Sequence, residues 1–225
     1  MKNHPGTNKP SASALRRERE KQMRRQSILS AAEILFAHNG YRKTKIEDIA
    51  EKAEVSVGTV YGYFQNKEEL LAAVLDDIGL YIRKLAGKAF GDAGSVIEGI
   101  ERAGLAFFEE LCLPYPEKAL LLYDESIGAG DQFINARRNF MLKMTEDVHG
   151  ALMKGKDGLG LKFTSAISAE VVAVCTTAIF VWLGMYYKIW RKRPGEIVAI
   201  GRETVTYIAG GIKSLINVGN EREKQ

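Results

Sequence analysis

Between Ser56 and Lys67 four hydroxyl-bearing side chains, Ser56, Thr59, Tyr61 and Tyr63, are interleaved with Val57 and Gly58 and followed by an ammonium. Hydroxyls and an ammonium suit phosphate oxygens, a valine offers methyl surface to a base, and a glycine permits close backbone approach. The spacing is that of a short two-faced helix. Val60 and Phe64, four apart, share an inward face, and Ser56 can cap the first turn. The opposite face carries Ser56, Val57, Gly58, Thr59, Tyr61 and Tyr63 and ends near Lys67.

Another element must hold this helix, and the preceding residues predict one. Thr44 with Glu47 three residues on reads as a capping box. Ile46, Ile49, Ala50 and Ala53 follow at helical spacing, the alanines small enough for a second helix to cross closely. Val55 is an apolar plug. Two short helices joined by a tight turn, the second facing outward, form the pattern of a DNA-reading helix-turn-helix.

An ordered string of residues carries a resemblance to a known family. It comprises Ile28, Leu29, Ala31, Ala32, Leu35 and Phe36, then Asn39-Gly40-Tyr41, Thr44, Ile49-Ala50, Ala53, Val55-Ser56, Gly58-Thr59-Val60-Tyr61, Tyr63-Phe64 and Asn66-Lys67-Glu68-Glu69-Leu70. In these residues the chain resembles the DNA-binding domain of the tetracycline-repressor (TetR) family of bacterial regulators. One position departs: Glu54 stands where the family carries glycine, which predicts a non-glycine residue held at positive φ. The resemblance implies that Thr44 and Lys45 touch phosphate and that Ser56, Val57, Gly58 and Thr59 enter the major groove. It places Tyr61, Tyr63 and Lys67 on the flanking backbone. Val57 can meet only a thymine methyl, so base readout through this helix is sparse and DNA shape gains weight.

Composition sets the frame. A chain of 225 residues with 46 % hydrophobic content can bury a core, which excludes a disordered protein. The net charge of +4 is uneven: residues 1–45 hold eleven Lys and Arg against three Glu, or +8, leaving 4 − 8 = −4 for the rest. The electrostatic footprint therefore lies beside the helix-turn-helix. Cys112 and Cys175 sit in apolar stretches without metal-ligand spacing and read as free buried thiols of a reducing cytoplasm. The N-terminus has no apolar run of a secretory signal.

Apolar residues recur at helical spacing with no sustained alternation, so the expected class is all-α. The N-terminal part is a three-helix helix-turn-helix DNA-binding domain; the C-terminal part is a helical ligand-binding and dimerisation domain. The boundaries read as a disordered basic arm over 1–16, DNA-binding domain 17–66, ligand-binding and dimerisation domain 67–218 and a disordered tail 219–225. Helices are expected at about 17–38, 67–90, 95–112, 116–127, 131–154, 168–191 and 194–216, besides the two short ones. The resemblance implies dimerisation through the last two as a four-helix bundle.

Phe107, Phe108, Tyr123, Met144, Thr176, Phe180 and Trp182 are the ligand-pocket candidates. Each alone is ordinary core; together they suit an apolar pocket with a few hydroxyls, hence a hydrophobic or aromatic effector. Glu146 with His149 is the only metal-like pair and supplies too few ligands, so neither metal nor cofactor is expected. Nothing resembles a nucleophile elbow, a phosphate loop or paired catalytic carboxylates, so no catalytic residue is assigned and an enzyme is not supported. The reading is a cytoplasmic homodimeric regulator, a repressor of a palindromic double-stranded DNA operator released by a small molecule. Rival readings are an activator, a membrane-associated signalling protein anchored by the uncharged run 171–187, and an all-α enzyme with a relic helix-turn-helix.

Overall fold

A computed structural model of the chain describes residues 11–123, 131–159, 162–187 and 194–217. Helices dominate them: α1 (Ala12–Asn39), α2 (Ile46–Lys52), α3 (Val57–Tyr63), α4 (Lys67–Gly91), α5 (Val96–Ala106), α6 (Pro116–Tyr123), α7 (Asp131–Leu159), α8 (Ser168–Met185) and α9 (Ile197–Ser214). The all-α class holds. A two-residue antiparallel pairing of β1 (Lys162–Phe163) with β2 (Ile216–Asn217) ties the chain after α7 to the end of α9.

Helix starts are set by short polar side chains. Ser11 Oγ accepts from Ala14 N–H at 3.2 Å, Asn66 Oδ1 from Glu69 N–H at 2.8 Å and Ser95 Oγ from Glu98 N–H at 3.1 Å. Each satisfies an amide that the helix itself leaves open. The Ser11 cap starts α1 five residues before the expected Arg17, so the expected arm is helical from Ala12; residues 1–10 and the tail 219–225 lie outside the described residues. Gly40, at φ 78°, ends α1 and donates its N–H to Phe36 O at 3.1 Å. At the other extreme α7 runs through Gly155 and Gly158, where a break was expected. A helical glycine costs about 1 kcal/mol against alanine, less than the burial of a single core residue such as Leu152, worth about 2 kcal/mol.

One hydrophobic cluster joins the two expected domains. It runs from Ile28, Leu29 and Phe36 of α1, through Ile49 and Val60, along Leu70, Leu71, Val74 and Ile78 of α4, to Phe108, Leu121, Phe140 and Ile197. A second cluster, with Ile100, Leu152, Val172, Ile208 and Ile212, binds α5, α7, α8 and α9. Polar ties span the same boundary. Gln26 Nε2 donates to Asp77 Oδ2 at 3.0 Å, and Lys118 Nζ of α6 lies 2.5 Å from Glu33 Oε2 of α1, both side chains largely buried. Burial raises the Glu33 carboxyl above its ordinary value, although the Lys118 ammonium opposes the shift.

Three details differ from expectation. After α5 the chain widens into a π-turn over Phe107–Cys112, and Leu113 N–H reaches Phe108 O, five residues back, at 3.1 Å. Cys112 is buried as expected, but Cys175 is exposed, because it lies on the outward face of α8 with Val171, Val174 and Trp182. Finally, among the described residues no helix is long and apolar enough to cross a membrane, and the expected breaks at 128–130 and 191–193 lie outside them.

Candidate nucleic-acid interface and internal cavity

The unit α2–turn–α3 is built on local bonds. Ser56 caps α3: its Oγ accepts from Thr59 N–H at 3.1 Å and lies 2.8 Å from Thr59 Oγ1. Val60 and Phe64 are buried as the spacing required, and Val57 is half-buried against the same cluster. The turn depends on Glu54, whose φ of 56° is the left-handed conformation expected there, at a cost of about 1 kcal/mol or more. Val55 N–H returns to Ala50 O at 3.0 Å, and Ser27 Oγ of α1 donates to Ala53 O at 3.2 Å, pinning the turn from behind.

The outward surface of α3 is therefore Ser56, Gly58, Thr59, Tyr61 and Gly62. A Cβ at Gly62 would meet nothing within 4 Å, and one at Gly58 only Ser56 Oγ at 3.8 Å. Gly62 was not among the residues singled out from sequence; its position one turn after Gly58 was the available signal. Two backbone-bare positions beside Tyr61, which is half exposed, give a shallow surface able to approach a duplex closely.

Thr44, Tyr63 and Lys67 are turned toward the protein. Thr44 is fully buried, and its Oγ1 lies 3.0 Å from Leu35 O and 2.9 Å from Gly40 O, to which it donates. The Thr44–Glu47 capping box is consequently absent. Lys45 is the N-cap of α2 instead, its N–H donating to Asp48 Oδ2 at 3.1 Å, and its side chain stays exposed. Lys67 Nζ donates to Tyr41 O at 2.8 Å and Thr44 O at 2.9 Å and sits 4.4 Å from the Tyr41 ring centroid. Tyr63 is half-buried and its hydroxyl donates to Lys21 O of α1 at 3.2 Å. These three fasten α4, α1 and the loop after α1 around α3.

Helices α4, α5, α7 and α8 enclose a cavity of about 980 Å³. Its interior is apolar, with Ile82, Phe90, Ile100, Phe107, Phe140 and Phe180 prominent. Three rings seat against helix backbone where only glycine fits. A Cβ on Gly99 would lie 2.6 Å from Phe90, on Gly79 2.9 Å from Phe140, and on Gly104 2.6 Å from Phe180. Glycines inside helices were not read as pocket determinants, yet they set where the walls stand.

Of the expected pocket residues, Phe107, Met144, Thr176 and Phe180 line the cavity. Phe108 does not: it is fully buried behind Phe107, their rings edge to face at 5.3 Å, and packs on Gly201 of α9. Trp182 is also elsewhere. Thr176, Thr177, Phe180 and Val181 share the inward face of α8, and at about 100° per residue Trp182 falls on the opposite face, 54 % exposed. The side chain of Tyr123 lies outside the described ones. Thr177, not among the candidates, is 7 % exposed and its Oγ1 has no hydrogen-bond partner. At the mouth Arg83 of α4 grips Asp147 of α7 through Nε–Oδ2 at 2.5 Å and a second contact of 2.9 Å, near Lys84, Glu146 and Lys154. Among the described residues no three His, Cys, Asp or Glu side chains gather as a metal site.

Residues 28–74 match the model of the family described as bacterial regulatory proteins, tetR family. An HTH-type transcriptional repressor of Mycobacterium tuberculosis is 34 % identical over 90 residues, 40 % of this chain and 47 % of that protein. The chain thus spans less than half the length of such relatives. A weaker likeness runs further: the HTH-type transcriptional repressor KstR2 of Mycolicibacterium smegmatis is 27 % identical over 199 residues, 84 % of this chain and 90 % of that protein. In fold the chain is similar to the transcriptional regulator FadR of Bacillus subtilis, solved in complex with stearoyl-CoA, at a TM-score of 0.71 and 19 % identity, over 83 % of this chain and 98 % of that one.

Proposed function

Since this chain belongs to the tetR family of bacterial regulatory proteins, we propose that it is a repressor acting in the cytoplasm on a palindromic operator, bound as a homodimer and released by a hydrophobic small molecule. The observation that carries this reading is α4 itself. Its first half, Leu70, Leu71 and Val74, belongs to the cluster that holds α3 in place, and its second half, Ile82, Leu85 and Phe90, walls the cavity. A rod of 25 residues, about 37 Å long, thus has one end under the DNA-facing helix and the other beside an effector.

For DNA, the surface Ser56, Gly58, Thr59 and Tyr61, with Lys45 nearby, supports entry into a major groove and contact with its phosphate edges. Two copies reading a palindrome require half-sites roughly 34 to 36 Å apart. The exposed apolar residues Ile167, Val171, Val174 and Trp182 of the α8 region and Tyr207 of α9 support a second copy as the cover for that face. The effector would be an elongated apolar molecule with one hydrogen-bonding group, because the walls are aromatic and aliphatic and the buried Thr177 hydroxyl lacks a partner. The stearoyl-CoA of the structural neighbour FadR fits the same class. Such a molecule weakens operator binding only by preferring the conformer that does not hold DNA, typically by about 1 to 3 kcal/mol.

Selection from a randomised duplex library tests the reading. It expects enrichment of a palindrome with half-sites one helical turn apart, bound by two chains. Recovery of random sequence alone would refute operator recognition. Titrating the bound complex with acyl chains of increasing length then tests release; unchanged binding at every length would remove the hydrophobic-effector part and leave the rest.

A further inference from the structure

The first sixteen residues of α1, Ala12 to Ser27, project from the packed domain, whose buried positions on this helix begin only at Ile28. They rise about 24 Å and carry Arg16, Arg17, Arg19, Lys21, Arg24 and Arg25 against Glu18 and Glu20. A charged exposed helix would ordinarily be no more than a solvated one, but here the charges are sorted by face. At about 100° per residue, Arg17, Lys21, Arg24 and Arg25 fall within an arc of about 100° that contains the bearing of Ile28. They therefore continue, in basic residues, the stripe that further along α1 faces the core. Glu18 and Glu20 lie at or outside the edges of this arc, and their side chains are occupied by Gln22 at 2.8 Å and Arg16 at 2.9 Å. Arg17, Lys21 and Arg24 have no ion-pair partner among the described residues.

The stripe is also fixed relative to α3. Tyr63, the last residue of α3, donates its hydroxyl to Lys21 O, and the Arg25 guanidinium lies 5.5 Å from the Phe64 ring centroid. Ser27, two turns along, sits at the α2–α3 turn through Ala53 O. The basic stripe thus leaves the domain at the C-terminal end of the DNA-facing helix, the end that lies at the groove's phosphate edge when the N-terminal residues read bases.

Resting on the operator-binding reading above, we propose that residues 17 to 24 of α1 form a second DNA site, a phosphate-binding arm that grips the duplex backbone flanking the groove entered by α3. Its contacts are sequence-independent and extend the footprint beyond the half-site.

Two double variants of equal charge separate a contact from a general field. Arg17→Ala with Arg24→Ala removes two arginines from the stripe; Arg16→Ala with Arg19→Ala removes two from the other faces. Alanine keeps the helix, and thermal melting checks that both pairs fold like the wild type. Affinity for a fluorescein-labelled duplex of random sequence is followed by anisotropy between about 50 and 200 mM salt. The logarithmic salt slope should become shallower by about 0.9 for each phosphate lost from each subunit, hence about 1.8 for the stripe pair, and change by less than half of that for the control pair. Equal changes in the two pairs, or none in the stripe pair, would overturn the arm while wild-type binding keeps the regulator reading intact. A wild type that binds no duplex overturns both.

Discussion

The α2–α3 unit and the α4–α8 cavity meet opposite physical demands with the same residue types. In the first, glycines face open space and threonines have their hydroxyls committed: a Cβ at Gly62 meets nothing, and Thr44 donates within reach of two carbonyls. In the second, glycines are covered and a threonine is left open: Gly104 lies beneath Phe180, and Thr177 Oγ1 has no partner. A surface that must fit a rigid partner is finished before the partner arrives. A cavity that must accept a molecule keeps one polar group unsatisfied and its apolar walls close to the backbone.

Paired substitutions can break that contrast. The largest effect is expected from glycine. Gly104→Ala places a methyl 2.6 Å from Phe180 and 2.8 Å from Val205, so it should cost about 2 kcal/mol and shrink the cavity. Gly62→Ala should instead stabilise by about 0.5 to 1 kcal/mol while weakening DNA binding by holding the duplex off. Urea unfolding of both variants checks the opposite signs, and losses of similar size at the two sites would erase the distinction. Threonine comes next. Thr44→Val leaves buried carbonyls without their donor and should cost about 1.5 kcal/mol, whereas Thr177→Val removes an unpaired buried hydroxyl and should gain up to about 1 kcal/mol. A destabilised Thr177→Val protein would show that its hydroxyl is already satisfied.

The smallest effect concerns pH. Burial raises the Glu33 carboxyl, so the folded chain holds that proton more firmly than the unfolded one. Its contribution is fully present below the ordinary carboxylate value and falls as pH rises through the raised one. Glu33→Gln should flatten the melting temperature across that window; an unchanged pH profile would mean that Lys118 compensates fully.

The two regions also differ in how far sequence alone reached them. The helix-turn-helix was legible because its determinants are local: Ser56 caps three residues on, Val60 and Phe64 pair over one turn, and Glu54 takes the strained φ its position demanded. The cavity draws on four helices separated by dozens of residues, and α8 is apolar on two faces. Periodicity therefore could not tell Phe180, which lines the cavity, from Trp182, which faces out. The inward turn of Thr44 and Lys67 was equally hidden, since their partners are backbone carbonyls of a loop and no residue type announces a carbonyl.

Lys67 moves the joint of the molecule. Because its ammonium bolts the first turn of α4 to the carbonyls of Tyr41 and Thr44, the lower part of α4 travels with the DNA-facing unit as one body. Any pivot must then lie higher than the apparent boundary at residue 66. Gly79 offers the thinnest section, with the Phe140 ring pressed against it. A molecule that shifts Phe140 would push the lever near its fulcrum, where a displacement of a fraction of an ångström is magnified at α3.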